Sequence, residues 1–246
     1  MSKSCQICCL SLFFYVLFPP GLLAQPAQKD SLITNLAYNN ALRQYHEFLT
    51  PEPGLYRGFR YVEYGYQLAE GHPYFGDGDM HKGVIWYNGI LYENMLISYD
   101  MVKDQVVINS PFESYRMFLI SNQVDSFTIG DHSFVRLRDS LNPTAPRIGF
   151  YEQLSKGRVS LLKKDIKYVR EEIQTMEVRR FIDSAESYYV KKNDTYYFVG
   201  NRKTMLRAFK DRSKDLIKFI RQNKLSVRHD LENTLIKVSA WYNDLQ

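Results

Sequence analysis

The chain has 246 residues, of which 45% are hydrophobic and 24% charged, and its formal net charge is +5. This composition is typical of a globular protein and excludes a disordered or collagen-like chain. The three cysteines, Cys5, Cys8 and Cys9, all lie near the N-terminus, so the rest of the chain offers no disulfide, thiolate nucleophile or cysteine metal site.

The first 24 residues have the three parts of a secretory signal peptide. Lys3 supplies a basic start, an apolar run extends from Ile7 to Phe18, and Ala24 is a small residue at the expected cleavage point. A membrane anchor is the alternative, but a spanning helix needs about 20 apolar residues, and this run is shorter and ends at a proline pair. We therefore predict an exported protein, periplasmic or associated with the outer membrane, with no transmembrane segment after signal cleavage. Export also argues against nucleic acid as a partner.

The remaining chain divides into three predicted parts. Residues 25–54 contain a helix from Ser31 to Leu49, where apolar side chains recur at helical spacing, and a linker. Residues 55–200 have the pattern of short strands and tight turns, and residues 201–246 that of helices packed on the sheet, with Asp230 as an N-cap. The predicted fold class is α+β, mainly β. It is a sequential antiparallel β-meander, open or curled into a barrel-like shape, with an N-terminal helix and C-terminal helices.

Two turn signals are the clearest local features of the predicted sheet. Asn88-Gly89 separates two apolar runs and suits the positive φ angles of a two-residue hairpin turn, and Asn193-Asp194 closes a second hairpin. After the first turn, residues 90–92 and 95–99 are predicted as separate strands. Residues 167–180 have few strand signals, so we expect a loop or a short helix there.

Charge is unevenly distributed along the chain. Residues 25–155 contain 10 Lys and Arg against 15 Asp and Glu, whereas residues 156–246 contain 21 against 12. Such an asymmetry indicates either an anionic partner, such as an envelope surface, or helices that expose lysine on solvated faces. Because the basic residues of the C-terminal part alternate with acidic ones, the second interpretation is favoured.

The densest group of polar side chains lies in a glycine-rich stretch. His72, Asp77, Asp79 and His81 are all possible metal ligands there. The stretch is similar to a calcium loop only in its paired aspartates, because Lys82 stands where such a loop needs glycine. A surface turn explains the same residues, and we predict no bound metal or cofactor.

Asp100 and Asp104 form the second polar pair. Two aspartates four residues apart could act as paired carboxylates, but a turn that Asp100 opens and Asp104 closes is the simpler interpretation. The nucleophile elbow, zinc-helix, P-loop and dinucleotide motifs are absent. A glycosidase would need only two carboxylates at a suitable separation, so an enzyme is not excluded.

Six segments distributed over most of the chain carry a resemblance. They are GHPYF at 71–75, GVIWYNGILY at 83–92, YDMVKDQVV at 99–107, FVRL at 134–137, GFYEQL at 149–154 with Gly157, and NKL at 223–225. As a set they resemble uncharacterised exported proteins of the Bacteroidetes. The resemblance implies export and a bacterial source, and it carries no activity and no catalytic residue.

These observations favour a non-enzymatic binding or assembly module of the cell envelope. Its partner would be an envelope protein or an anionic envelope surface. Two alternatives stay open. One is an envelope hydrolase that acts on glycans through carboxylates, and the other is a carrier whose curled sheet encloses a small apolar ligand.

Overall fold

A computed structural model describes residues 54–111, 114–138, 144–175 and 177–245. The predicted signal peptide and the predicted helix from Ser31 to Leu49 lie outside these residues. Among the residues it describes, no helix is both long and apolar enough to cross a membrane.

The described chain is mainly β, as predicted, and its strands form one antiparallel sheet of eleven members. Three α-helices follow the last strand. The strands are β1 (Phe59–Arg60), β2 (His81–Tyr87), β3 (Ile90–Asp100), β4 (Gln105–Asn109), β5 (Arg116–Phe118), β6 (Val124–Ile129), β7 (His132–Leu137), β8 (Gly149–Ser155), β9 (Val159–Ile173), β10 (Val178–Lys192) and β11 (Thr195–Phe198), and the helices are α1 (Arg202–Ala208), α2 (Ser213–Gln222) and α3 (Leu231–Asp244).

The predicted antiparallel meander is present, and it departs from sequential order where two runs of consecutive strands join side by side. Strands β2 to β5 follow one another, and so do β6 to β11, but β6 pairs with β2 and not with β5. Strand β1 adds to the far side of β5. The order therefore ends at β1 on one side and at β11 on the other, so the sheet is open and the barrel-like alternative is wrong.

The hairpin of β2 and β3 turns at the predicted residues. Asn88 and Gly89 have φ angles of 50° and 75°, the left-handed values that a two-residue turn between twisted strands requires. The prediction that separate strands follow this turn is wrong, because β3 continues without interruption to Asp100. The pairing of β3 with β2 shifts in register between Gly83 and Ile85. The strand β3 has one extra residue at this point, which is a β-bulge.

The longest strands are β9 and β10, each of 15 residues. They include most of residues 167–180, so the loop or helix predicted there is wrong. Opposite charges face each other across these outer ends, with Arg170 bonded to Asp183 and Arg180 to Glu171, both at 2.7 Å. Such cross-strand pairs stabilise two strands that lack an alternation of apolar and polar residues. That alternation is the signal by which the sequence predicts a strand, so these ends give no strand signal.

Two clusters of buried side chains hold the fold together. The first, the sheet core, is formed by strands β2 to β8 around four aromatic rings, those of Tyr99, Phe127, Phe134 and Phe150. The Phe127 and Phe134 rings stack with centroids 4.8 Å apart. The second, the helix core, joins β9 and β10 to the three helices, so the C-terminal helices pack on the sheet as predicted.

Local signals in the sequence explain where the helices begin. Asn201 accepts a hydrogen bond from the backbone of Thr204, whose side chain completes a capping box at the start of α1. Asp230 accepts a hydrogen bond from the backbone of Asn233 and caps α3, as predicted. Buried apolar side chains then follow at helical spacing, including Leu235 and Tyr242 of α3.

Candidate functional site

Asp100 is the most deeply buried of the predicted site residues, with none of its surface exposed. It ends β3, and its carboxylate accepts hydrogen bonds from the hydroxyls of Tyr61 and Tyr64, at 2.7 and 3.0 Å. The backbone N–H groups of Val102 and Lys103 donate to the same carboxylate at 3.0 and 2.9 Å. Four donors occupy most of the acceptor capacity of a carboxylate, so this side chain serves the fold.

The side chains around Asp100 reinforce that arrangement. The Lys103 ammonium lies 4.4 Å from the ring centre of Tyr61 and 4.3 Å from that of Tyr64, which are cation–π distances. Burial, and then hydrogen bonds to Tyr74 and Asp100, raise the pKa of Tyr61. Burial and the charge of Asp100 raise the pKa of Tyr64 in the same way. Both hydroxyls therefore keep their protons and act as donors. We call Asp100, Tyr61, Tyr64 and Lys103 the Asp100 cluster.

The hydrogen-bond partners of Asp104 differ from those of Asp100. It ends the turn between β3 and β4 with a φ of 54°. Its carboxylate accepts a hydrogen bond from Tyr99 and bonds to the Lys164 ammonium at 2.9 Å, which ties the turn to β9. The predicted turn between the two aspartates is present, and the structure gives each carboxylate its own set of donors.

The glycine-rich stretch brings the side chains of two of its four predicted residues into contact. Asp77 bonds to His81 at 2.7 Å and accepts the backbone N–H of Asp79 at 3.0 Å. Both bonds lower the pKa of Asp77, and the bond to His81 has the larger effect. His72 does not share these bonds, and its Nδ1 atom is buried without a hydrogen-bond partner. Over the described ranges, no group of three or more His, Cys, Asp or Glu is arranged to hold a metal ion.

A partly exposed ion-pair network that the sequence did not indicate links β9 to α3. Lys163 bonds to Glu186 at 3.0 Å and to Glu232 at 2.8 Å, and the hydroxyl of Tyr188 lies within hydrogen-bond distance of both carboxylates. Burial opposes the charge of Lys163, but the bonds to the two glutamates outweigh it and raise its pKa. The network fastens the helix core to the sheet.

Asp165 lies beside this network without a full set of partners. It pairs in register with Glu186, and its Oδ1 atom is buried with no hydrogen bond. Burial is the main cause that raises the pKa of Asp165. Its ionised form therefore opposes folding, and this penalty disappears when the carboxyl is protonated.

We expect Asp165→Asn to stabilise the protein at neutral pH. Removing the charge should raise the free energy of unfolding at pH 7, and the gain should vanish near about pH 3, where the carboxyl is protonated in both the folded and the unfolded chain. Urea denaturation at both pH values measures it. Asp131→Asn, at an exposed turn residue, is the control and should change little at either pH. A gain of equal size at both pH values would contradict the assignment.

The helices carry a strongly basic surface. Residues 200–229 contain ten Lys and Arg against two Asp, and all ten basic side chains are exposed. Among the described residues only one of the ten forms an ion pair, Arg212 with Asp215 at 3.6 Å, since Asp211 bonds to Lys192 of β10. We call the other nine the cationic helical surface. They are Arg202, Lys203, Arg207, Lys210, Lys214, Lys218, Arg221, Lys224 and Arg228.

Helical spacing explains how these cations are presented. Leu216 and Ile220 of α2 are buried in the helix core. Lys214, Lys218 and Arg221 recur at intervals of four and three residues and lie on the opposite, exposed face. The apolar face of α2 is thus already covered, and the basic face is left to water.

The cations lie on solvated faces, as the favoured sequence interpretation expects, but they are more concentrated than the count over residues 156–246 indicates. Over residues 156–246 basic and acidic residues alternate, which favoured solvated faces without a partner. Counted over residues 200–229 alone the alternation fails, and a shorter window would have located the surface.

Comparison with protein-family models, with curated proteins and with solved structures yields no match to this chain. The resemblance to exported proteins of the Bacteroidetes stays a prediction. The functional hypothesis therefore depends on the geometry of this chain alone.

Proposed function

We propose that this protein is a non-enzymatic binding module of the cell envelope that attaches to an anionic membrane surface through the cationic helical surface. One observation carries the proposal. Nine exposed Lys and Arg side chains, none of them in an ion pair among the described residues, project from 30 consecutive residues, 200–229, that contain only two acids. Export, predicted from the signal peptide, would bring the protein to such a surface.

The magnitude of the attraction favours a membrane as the partner. Each Lys or Arg held near an anionic bilayer contributes about 1 kcal/mol, and the effect falls off within a Debye length of about 8 Å at physiological salt. The cations lie on the exposed faces of consecutive helices, whereas a membrane-inserting helix would need an exposed apolar face. The apolar side of α2 is packed in the helix core, so the proposed attachment is electrostatic.

The two alternatives have less support. A glycan hydrolase needs carboxylates that are free to meet a substrate, and the Asp100 cluster leaves Asp100 with four protein donors. A carrier with an enclosed ligand needs a hollow interior, and the interior of the open sheet is filled by aromatic rings such as Phe127 and Phe134.

Charge reversal on the exposed face of α1 and α2 tests the proposal. The variant Lys203→Glu, Arg207→Glu, Lys214→Glu, Lys218→Glu should bind vesicles of phosphatidylglycerol and phosphatidylcholine at least about 100-fold more weakly than the unmodified exported chain. Vesicle co-sedimentation measures the affinity. The unmodified chain should also lose affinity steeply as salt is raised, and it should not bind vesicles of phosphatidylcholine alone.

A matched variant separates local charge from total charge. Arg57→Glu, Lys82→Glu, Arg147→Glu and Lys156→Glu change the net charge by the same amount at exposed positions outside the helices. This variant should keep most of the vesicle affinity. An equal loss in both variants, or binding that does not depend on anionic lipid, would overturn the proposal.

A further inference from the structure

A pocket opens within the cationic helical surface, between the start of α1 and the loop that joins α2 to α3. Its volume is about 580 Å³, within the range of small-molecule sites. It is lined by four apolar side chains, two arginines, Asn201, Ser226 and Gly200. The lining residues on which the inference depends are Arg202, Ile220, Leu225, Val227, Arg228 and Leu231.

We propose that this pocket binds a single-chain anionic amphiphile, a lipid with one acyl chain and a phosphate or carboxylate headgroup. The inference rests on the proposed function and deepens it, because it names the lipid class that the cationic helical surface would select from an anionic membrane.

The apolar lining suits the chain of such a lipid. Ile220 is buried, and Leu225, Val227 and Leu231 are partly buried around the opening. The pocket lining contains no acidic side chain and no aromatic ring. A cation would therefore find no partner there, and a sugar or a base would find no ring on which to stack.

The arginines suit the headgroup. Arg202 and Arg228 are both exposed and, in the part of the chain that the structure describes, form no ion pair. A guanidinium group binds phosphate or carboxylate through two parallel hydrogen bonds. Asn201 also lines the pocket, but its side chain caps α1. Charge complementarity therefore assigns an anionic headgroup to the two arginines.

The loop that forms one wall is held in place before any ligand arrives. The backbone N–H of Leu225 donates to the carbonyl of Ile220 at 3.0 Å, and Lys224 has a φ of 50°, which is the left-handed end of a helix. Farther along, the N–H of Asp230 donates to the carbonyl of Ser226 at 2.9 Å. Because this wall is already ordered, binding loses less conformational entropy than it would with a flexible loop.

Calorimetry with dodecyl phosphate, kept below its micelle concentration, tests the inference on the exported chain. We expect saturable binding to one site. Dodecyl maltoside, which has the same chain without the charge, and inorganic phosphate, which has the charge without the chain, should each bind at least tenfold more weakly. Equal binding of dodecyl maltoside would overturn the headgroup assignment.

Two variants locate the binding in the pocket. Val227→Trp fills the pocket without changing the charge and should lower dodecyl phosphate affinity at least tenfold. Arg202→Gln with Arg228→Gln should do the same by removing the headgroup partners, and it keeps the test valid if the tryptophan variant fails to fold. Arg57→Gln with Arg147→Gln, the same charge change at exposed positions outside the cationic helical surface, should leave dodecyl phosphate binding within about twofold of wild type.

The two proposals fail in distinguishable ways. If the chain binds anionic vesicles but not dodecyl phosphate, the pocket inference is overturned and membrane attachment stands. If Val227→Trp binds dodecyl phosphate as wild type does, the site is elsewhere and the inference is also overturned. If neither vesicles nor dodecyl phosphate bind, both proposals fall.

Discussion

Replacing Asp100 with alanine is expected to lower the free energy of unfolding by about 4 kcal/mol. The carboxylate is fully buried, and its removal leaves the hydroxyls of Tyr61 and Tyr64 and two backbone N–H groups without their acceptor. It also leaves the Lys103 ammonium, 3.9 Å from the carboxylate, without a counter-charge. Guanidinium denaturation followed by circular dichroism measures the change.

Two further substitutions make this result interpretable. Asp79→Ala removes an exposed carboxylate of the glycine-rich stretch and should cost less than about 0.5 kcal/mol. Asp100→Asn keeps the shape but turns an amide toward hydrogen-bond donors, so an intermediate loss is expected. A small loss for Asp100→Ala would mean that the Asp100 cluster does not hold the fold. A glycan-hydrolysing activity that Asp100→Asn abolishes without loss of stability would favour the hydrolase alternative.

The second large effect is expected at Gly83, where β2 approaches β6 closely. A Cβ atom at this position would lie 1.9 Å from the carbonyl oxygen of Thr128 and 2.8 Å from Cδ1 of Ile97. Gly83→Ala must therefore push β2 away from β6, at the place where the two runs of strands join. We expect the free energy of unfolding to fall by about 3 kcal/mol, measured by the same denaturation.

Gly89→Ala is the matched control for Gly83→Ala. Gly89 lies in the turn at the other end of β2, and a Cβ atom there would have no heavy atom within 4 Å. Its φ of 75° still makes alanine unfavourable, by about 1 kcal/mol. If Gly83→Ala costs no more than Gly89→Ala, the close approach between β2 and β6 is not part of the folded protein.

Local features of the fold could be predicted from the sequence because the chemistry that determines them is local. The Asn88-Gly89 turn and the Asp230 cap each depend on residues within a few positions of one another. The pairing of β6 with β2 depends on contacts between strands about 40 residues apart, and no turn signal encodes it. The meander was therefore recognised while its order was not.

The environment of the site residues could not be predicted for a similar reason. Asp100 and Asp104 were singled out as a pair by their spacing. Their roles follow from partners far along the chain, such as Tyr61, 39 residues before Asp100, and Lys164, 60 residues after Asp104. The cationic helical surface could be predicted from the sequence, because its cations recur at helical spacing. A charge count over residues 200–229 locates it, whereas a count over residues 156–246 does not.

Because the sheet is open, its edge strands could pair with the sheet of another copy of the protein. Its outermost strands are brief, two residues in β1 and four in β11, so each offers few free backbone groups to which another chain could add. The outer half of β9 extends past its pairing with β8, which ends at Lys163, and it carries Asp165, Lys167, Arg170, Glu171 and Glu172. Charged side chains on an unpaired edge disfavour strand addition. Short ends and a charged overhang thus disfavour the strand addition that other folds prevent by closing the sheet.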